Sequence, residues 1–331
     1  MLILTKSDIE QSYTMKEAIK AAKEALKLYS NGQADVPLRT NLNVKDFKGQ
    51  SLYMPALTSG DPPSLGVKIV SVYPDNITKG LASVPATMVS LDPETGIVSA
   101  ILDGTYLTQL RTAALQGAAT EEFARADAKI AGLIGTGGQA YQQAIAMMTV
   151  RPLEELRVFD IDFDRAKAFT QTLNDDISGT FSTKVLAVET AKEAVKDADI
   201  LTSVTTSKVP TFDASDLKAG AHINGVGAYT PEMLELPTEL LVNADLVIFD
   251  TTDGVLSEAG DIQAPIKKGL LKEDDYTGEF GDYLLGKIKG RQDSKEITVF
   301  KTVGSAVLDT LTAQLIVEKA TSLGIGTQID L

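Results

Sequence analysis

The sequence predicts an α/β protein in which a doubly wound parallel sheet is joined to a separate α+β region completed by the last helix. Three observations lead there. From residue 130 onward, short apolar runs alternate with helical periods, the pattern of strands with crossover helices. The first of those runs feeds a glycine-rich turn, Gly135-x-Gly137-x-x-Ala140. Between residues 51 and 102, by contrast, strand-like runs follow one another without a helical period, which favours antiparallel pairing.

The elements follow in order. Thr14-Met-Lys-Glu17 is a capping box opening an amphipathic helix whose stripe is Ile19, Ala22, Leu26 and Tyr29, stopped by Asn31-Gly32. Residues 51–57, 65–73 and 84–91 read as strands, and Asp92-Pro-Glu-Thr-Gly96 turns the last into a strand over 97–102. A helix over about 106–123 leads to strands at 130–134, 158–160, 184–188 and 200–205, with helices near 138–149, 163–173 and 190–197. Two further strands, 221–225 and 246–250, precede an irregular stretch over 252–295. A strand at 297–299 and a final helix over about 305–323 close the chain.

Composition narrows the chemistry. Of 331 residues 44% are hydrophobic, enough for two domains with cores of their own. Cys is absent and His222 is the single His, which removes thiolate nucleophiles, a Cys or His metal set and an ordinary Ser-His-Asp triad. No metal site is expected, and proton transfer falls to Lys, Tyr, Asp, Glu or water. A net charge of −14 repels nucleic-acid backbones and anionic membranes. No apolar run has the ~20 residues of a span, and Asp8 and Glu10 interrupt any signal core. A cytoplasmic location is the expectation.

The glycine turn carries the strongest functional signal. Gly135 permits the tight turn, Gly137 lets backbone approach a pyrophosphate, and Ala140 lets the helix pack close to the strand. The helix N-terminus offers free N–H groups to the phosphates. Asp160, ending the second strand, suits the adenosine ribose hydroxyls and would repel a 2′-phosphate, so the expected cofactor is NAD rather than NADP.

Two charges lie where apolar residues belong. Arg111 shares a helix face with Leu107, Leu110, Ala114 and Ala118, so either a protein carboxylate or a ligand anion must meet it. Lys68 sits in a strand apolar on both faces, beside Val70. It is either an edge-strand lysine reaching solvent or a desolvated amine with a lowered pKa, able to serve as acid or base. Arg39 offers a planar fork suited to a carboxylate, as many surface arginines also do.

Taken together, Pro37-Leu-Arg39-Thr, Met54-Pro55, Gly66-Val-Lys68, Gly80-Leu-Ala-Ser83, Leu110-Arg111-Thr-Ala-Ala, Gly135-Thr-Gly-Gly-Gln139-Ala, Pro231-x-x-x-Glu235-Leu, Glu258-Ala-Gly-Asp261 and Phe300-Lys-Thr-Val-Gly304 with Asp309 resemble the ornithine cyclodeaminase/μ-crystallin family along almost the whole chain. The resemblance implies a substrate-binding and dimerisation domain over 1–122 and 304–331, a Rossmann domain over 123–303, and a homodimer. By motif, Arg39, Lys68 and Arg111 would hold the substrate carboxylate and reacting nitrogen, with Lys68 and Arg111 catalytic and Val303 near the substrate. Ser83, Arg111, Gly138, Gln139, Asp160, Thr205, Ile223, Asn224, Gly225, Val226 and Thr302 would touch the cofactor.

Cyclodeaminases of the family carry an acid where this chain has Tyr229, and a phenol is a poor base at neutral pH. The implied activity is therefore NAD(H)-dependent hydride transfer to or from the α-carbon of a small amino or imino acid, with Tyr229 lining the pocket or simply packed. Two rivals stay open: ornithine cyclodeaminase, a lyase using NAD catalytically, and a crystallin-like protein that binds nucleotide without turnover. Glu258 and Asp261 are expected in a polar loop facing water. Asp309 is expected either near the cofactor or as a first-turn acid on the helix dipole, and His222 as a satisfied histidine beside its strand.

Overall fold

A computed structural model, which describes residues 1–330, divides the chain into two units, Met1–Arg111 with Ser305–Leu331 and Thr112–Gly304. The first is built on β1 (Leu2–Leu4), α1 (Lys6–Ser12), α2 (Met15–Ser30), β2 (Ala34–Asp35), β3 (Thr40–Val44), β4 (Gly49–Thr58), β5 (Ser64–Val72), β6 (Ala86–Leu91) and β7 (Val98–Asp103). The helix α3 (Gly104–Phe123) begins in this unit and ends in the other. Strands β4 to β7 form an antiparallel meander in which Lys68 pairs with Met54 on one side and Met88 on the other. β1 joins β7 in parallel, while β2 and β3 both pair with β4.

Local chemistry explains the helices. Thr14 Oγ1 accepts from Glu17 N and Glu17 Oε2 accepts from Thr14 N, closing the expected capping box. Ile19, Ala22 and Leu26 are buried, and Asn31 caps the end before Gly32 at φ +71°. α11 (Ala306–Leu323) returns across β4, β5 and β6 and against α2, and β16 (Thr327–Gln328) pairs with β1. β5 therefore turns Ser64, Gly66, Lys68 and Val70 inward.

The second unit alternates β8 (Ile130–Ile134), α4 (Ala140–Val150), β9 (Glu155–Phe159), α5 (Phe163–Ile177), β10 (Lys184–Ala187), α6 (Ala191–Val195), β11 (Ile200–Ser203) and β12 (His222–Gly225). After these come α7 (Thr238–Asn243), β13 (Leu246–Phe249), α8 (Thr252–Glu258), α9 (Gly260–Lys267), β14 (Gly278–Glu279), α10 (Phe280–Leu284) and β15 (Thr298–Lys301). The sheet is parallel throughout, in the order β10-β9-β8-β11-β12-β15-β13-β14. Strand order reverses between β8 and β11, the switch point at which such sheets leave a crevice beyond their carboxyl ends.

The stretch 252–295 is not irregular as expected. It holds α8, α9, α10 and β14, elements of two to eight residues interrupted by Gly254, Gly260 and Pro265, too short to show a period. Among the described residues no helix is long and apolar enough to cross a membrane.

His222 is wholly buried on β12, with Nδ1 2.9 Å from Thr298 Oγ1 and Nε2 3.0 Å from Asn224 Oδ1, the satisfied histidine expected. Burial, reinforced by the Arg291 charge, pulls its pKa down to about 3. The folded chain therefore binds fewer protons than the unfolded chain between that value and about 6.5, and stability falls as pH drops through this window. Because His222 is the single His, urea unfolding should show a loss of about 1 kcal/mol from pH 6.5 to about 5.5. His222→Gln should flatten that slope; an unchanged slope would mean that the imidazole is not held neutral.

Candidate functional site

In the first unit, two cationic side chains far apart in sequence converge on one carboxylate. Lys68 comes from the centre of β5, Arg111 from α3, and Asp309 from the first turn of α11. Lys68 Nζ donates to Asp309 Oδ2 at 2.7 Å and Arg111 Nε to Asp309 Oδ1 at 2.8 Å. All three are buried, Lys68 to 1% exposure and Arg111 to 5%. An edge-strand lysine is thus excluded, since β5 lies between β4 and β6. Asp309 does occupy a first helical turn, but it answers the two cations rather than only the dipole.

One carboxylate does not satisfy two cations. Arg111 Nη1 is buried with no hydrogen-bond partner, and Lys68 with Arg111 leaves one positive charge in surplus. Burial pulls Lys68 down to about 8, Arg111 adds to the fall, Asp309 opposes it, and the charge of half-buried Arg39 contributes a further lowering. A buried donor with surplus charge and no partner is unfavourable unless an anion meets it. Ser83, half-buried in the loop before β6, accepts Tyr73 N at its carbonyl.

In the second unit the glycine turn lies at the switch point. Gly135 has φ +97°, and a Cβ there would come within 2.8 Å of Thr205 Cγ2 and 2.9 Å of Val204 O, so the loops after β8 and β11 touch only because Gly135 has no side chain. Gly137, by contrast, faces open space: a Cβ there would meet no atom within 4 Å. Gly137 and Gly138 are exposed, and α4 begins without a side-chain cap on its first N–H groups. Gln139, preceding the helix, keeps a buried Oε1 without a partner. An open glycine arm and uncapped N–H groups fit a dinucleotide pyrophosphate.

Asp160 follows β9 and braces this turn. Its Oδ2 accepts from Thr136 N and Oγ1, and its Oδ1 from Asp162 N and Arg165 Nη2. Burial alone would raise its carboxyl, but those hydrogen bonds hold it below the usual range.

A second buried network, centred on Glu235, supports the loops beyond β11 and β12. Glu235 Oε1 accepts from Ser203 Oγ and Thr205 N, and Oε2 from Gly227 N and Ala228 N. Its own N–H and that of Leu236 donate to Asp261 Oδ1, and Lys301 Nζ lies 2.9 Å from Asp261 Oδ2 while donating to Ala228 O. Asp261, expected in water, is 1% exposed: two N–H groups and a buried ammonium draw it inward at the start of α9. Burial pushes Glu235 up in pKa, against the pull of Lys301.

Around these loops, Ile223 and Asn224 are wholly buried, Asn224 tied to His222 and Thr120, while Gly225 and Val226 end the strand. Asp250 accepts from Thr302 Oγ1, Val303 N and Gly304 N, fixing the turn after β15. Tyr229 is half-buried, as are Thr205 and Val303. Sequence reasoning placed Glu235 only within a motif and gave it no role, because its partners lie 7 to 32 residues away along the chain. Among the described residues no three His, Cys, Asp or Glu side chains form a metal set.

Removing the Glu235 carboxylate would leave four donors facing a buried gap. Glu235→Ala should lower the unfolding free energy by about 3 kcal/mol or more, measured by urea denaturation. A loss below about 1 kcal/mol would mean that the loops hold without it.

Comparison with known proteins matches this architecture end to end. The chain is 36% identical over 330 residues to a Delta(1)-pyrroline-2-carboxylate reductase of Bacillus cereus, covering 100% of both. Its fold superposes with TM-score 0.94 on Thermococcus litoralis Delta(1)-pyrroline-2-carboxylate reductase, solved in complex with NADH and L-proline, at 40% identity over 99% of this chain and 100% of that one. An archaeal alanine dehydrogenase dimer with bound NAD gives TM-score 0.90 at 34% identity, covering 100% and 99%. Residues 1–324 match one family along their whole length, and the chain belongs to it: the ornithine cyclodeaminase/mu-crystallin family.

Proposed function

We propose that this chain is an NAD(H)-dependent oxidoreductase of CH–NH groups whose preferred reaction is reduction of a small cyclic imino acid of the pyrroline-2-carboxylate type. The observation that carries the reading is the Lys68–Asp309–Arg111 cluster, with its surplus positive charge and the unpartnered Nη1 of Arg111. The relatives that reduce pyrroline-2-carboxylate support the substrate class. An imino acid brings the two features such a cluster can read, a carboxylate and a basic nitrogen on adjacent atoms.

In this reading Arg111 and Arg39 take the carboxylate in a planar, charge-assisted grip that fixes the reacting carbon, the positioning effect that removes much of a bimolecular barrier. Lys68, in its ammonium form, delivers a proton to the imine nitrogen as that carbon accepts hydride, so the C=N bond becomes CH–NH. Asp309 keeps Lys68 in place and makes its return to the charged state favourable. NADH, when bound, supplies the hydride.

Gly135, Gly137, Gly138, Gln139, Asp160, Thr205, the 223–226 segment and Thr302 form the nucleotide site of the second unit. The first unit is then the substrate and dimerisation domain. Exposed Leu38, Leu42 and Phe47 on that unit, and the dimeric alanine dehydrogenase relative, support a homodimer, which we assign to the cytoplasm.

Lys68→Ala should cut imine reduction at least about a hundredfold, the usual worth of a positioned acid, while NADH affinity, read by nucleotide fluorescence, stays within about twofold. Equal loss of both would reduce Lys68 to scaffolding. The pH profile carries a sign: with Lys68 titrating near 8, kcat/KM for reduction should fall as pH rises through that value, and the reverse oxidation should rise. A reductive profile flat across pH 7 to about 9 would remove Lys68 as the proton donor.

A further inference from the structure

The acid that ends β9 is fully engaged before any ligand arrives. A carboxylate offers about four acceptor sites, and Asp160 has four protein donors: Thr136 N at 3.0 Å, Thr136 Oγ1 at 2.6 Å, Asp162 N at 3.0 Å and Arg165 Nη2 at 2.5 Å. Three of them belong to the backbone or to the glycine turn itself. The fourth comes from a side chain 60% exposed, on a carboxylate 4% exposed. An ion pair with one partner in solvent is weakly held, so Arg165 is the donor that can leave.

We infer that Arg165 sets the choice of nucleotide: paired with Asp160 it competes with the adenosine ribose, and turned outward it offers its fork to a 2′-phosphate, so the chain accepts NADPH as well as NADH. This deepens the nucleotide reading above and rests on it. A lone acid at this position excludes a 2′-phosphate by repulsion. Here a guanidinium cancels that charge, and the guanidinium is the group best shaped to bind a phosphate in two parallel hydrogen bonds.

The neighbours set the limit. Asp162 caps the Arg165 N–H at 3.2 Å, and Asp164 pairs with Lys167 at 2.6 Å. Three carboxylates (Asp160, Asp162, Asp164) against two cations (Arg165, Lys167) leave the 160–167 turn negative by one, so NADH remains the tighter ligand.

The test is direct titration of NADH and NADPH fluorescence with the intact protein and with Arg165→Ala and Arg165→Gln, the second retaining most of the side-chain stem. Both variants should bind NADPH at least about tenfold more weakly, the worth of one charge-assisted hydrogen bond. NADH should bind as well as before or more tightly, because its competitor for Asp160 is gone. A structural role for Arg165 would weaken both nucleotides together. Parallel weakening, or a change in the NADH:NADPH ratio smaller than about tenfold, overturns the inference. Failure of the unmutated protein to bind either nucleotide overturns the nucleotide reading itself, and this inference with it.

Discussion

The first unit turns on one carboxylate. Lys68 and Arg111 are cations in positions that the sheet and helix otherwise fill with apolar atoms, and burying either without a counter-charge would cost several kcal/mol. Asp309 meets both, one through each oxygen, from a helix that the chain adds 241 residues after Lys68 and 198 after Arg111. α11 is therefore part of this unit's core and its electrostatic keystone at once. The same arrangement leaves Arg111 Nη1 unspent, and that remainder of positive character is what an anionic ligand would complete.

The second unit solves a different problem by similar means. A parallel sheet leaves loops at the carboxyl ends of its strands with N–H groups that no ladder satisfies. Here buried acids gather them: Asp160 takes the glycine turn, Glu235 the segments after β11 and β12, Asp250 the turn after β15. Each acid converts a flexible connection into a fixed wall of the crevice. In both units carboxylates that look dispersed along the sequence are structural anchors for the surfaces expected to meet ligand.

What is legible in the sequence follows the range of the interactions involved. The glycine turn, the strand before it and the acid after it are local, and their chemistry can be read directly. So can the meander strands, whose turn residues and alternation lie within a few positions of one another. Lys68 and Arg111 stand out because each breaks its own local pattern. Asp309, Glu235 and Asp261 cannot be assigned partners in this way: an acid in a first helical turn or beside a glycine has an adequate local explanation, and only the fold reveals that Asp309 serves a lysine on a distant strand. Short elements such as α8 and α9 escape for the same reason, since a helix of two turns containing Gly or Pro is held by packing rather than by propensity.

The position of Asp309 also governs the order in which the protein can be built. A ribosome releases the Lys68 strand 241 residues before the counter-ion for it, so a nascent chain that has completed its meander still carries an ammonium with nowhere dry to go. The first unit cannot close dry around that ammonium until α11 follows, whereas the parallel-sheet unit has every one of its strands in hand before α11 begins.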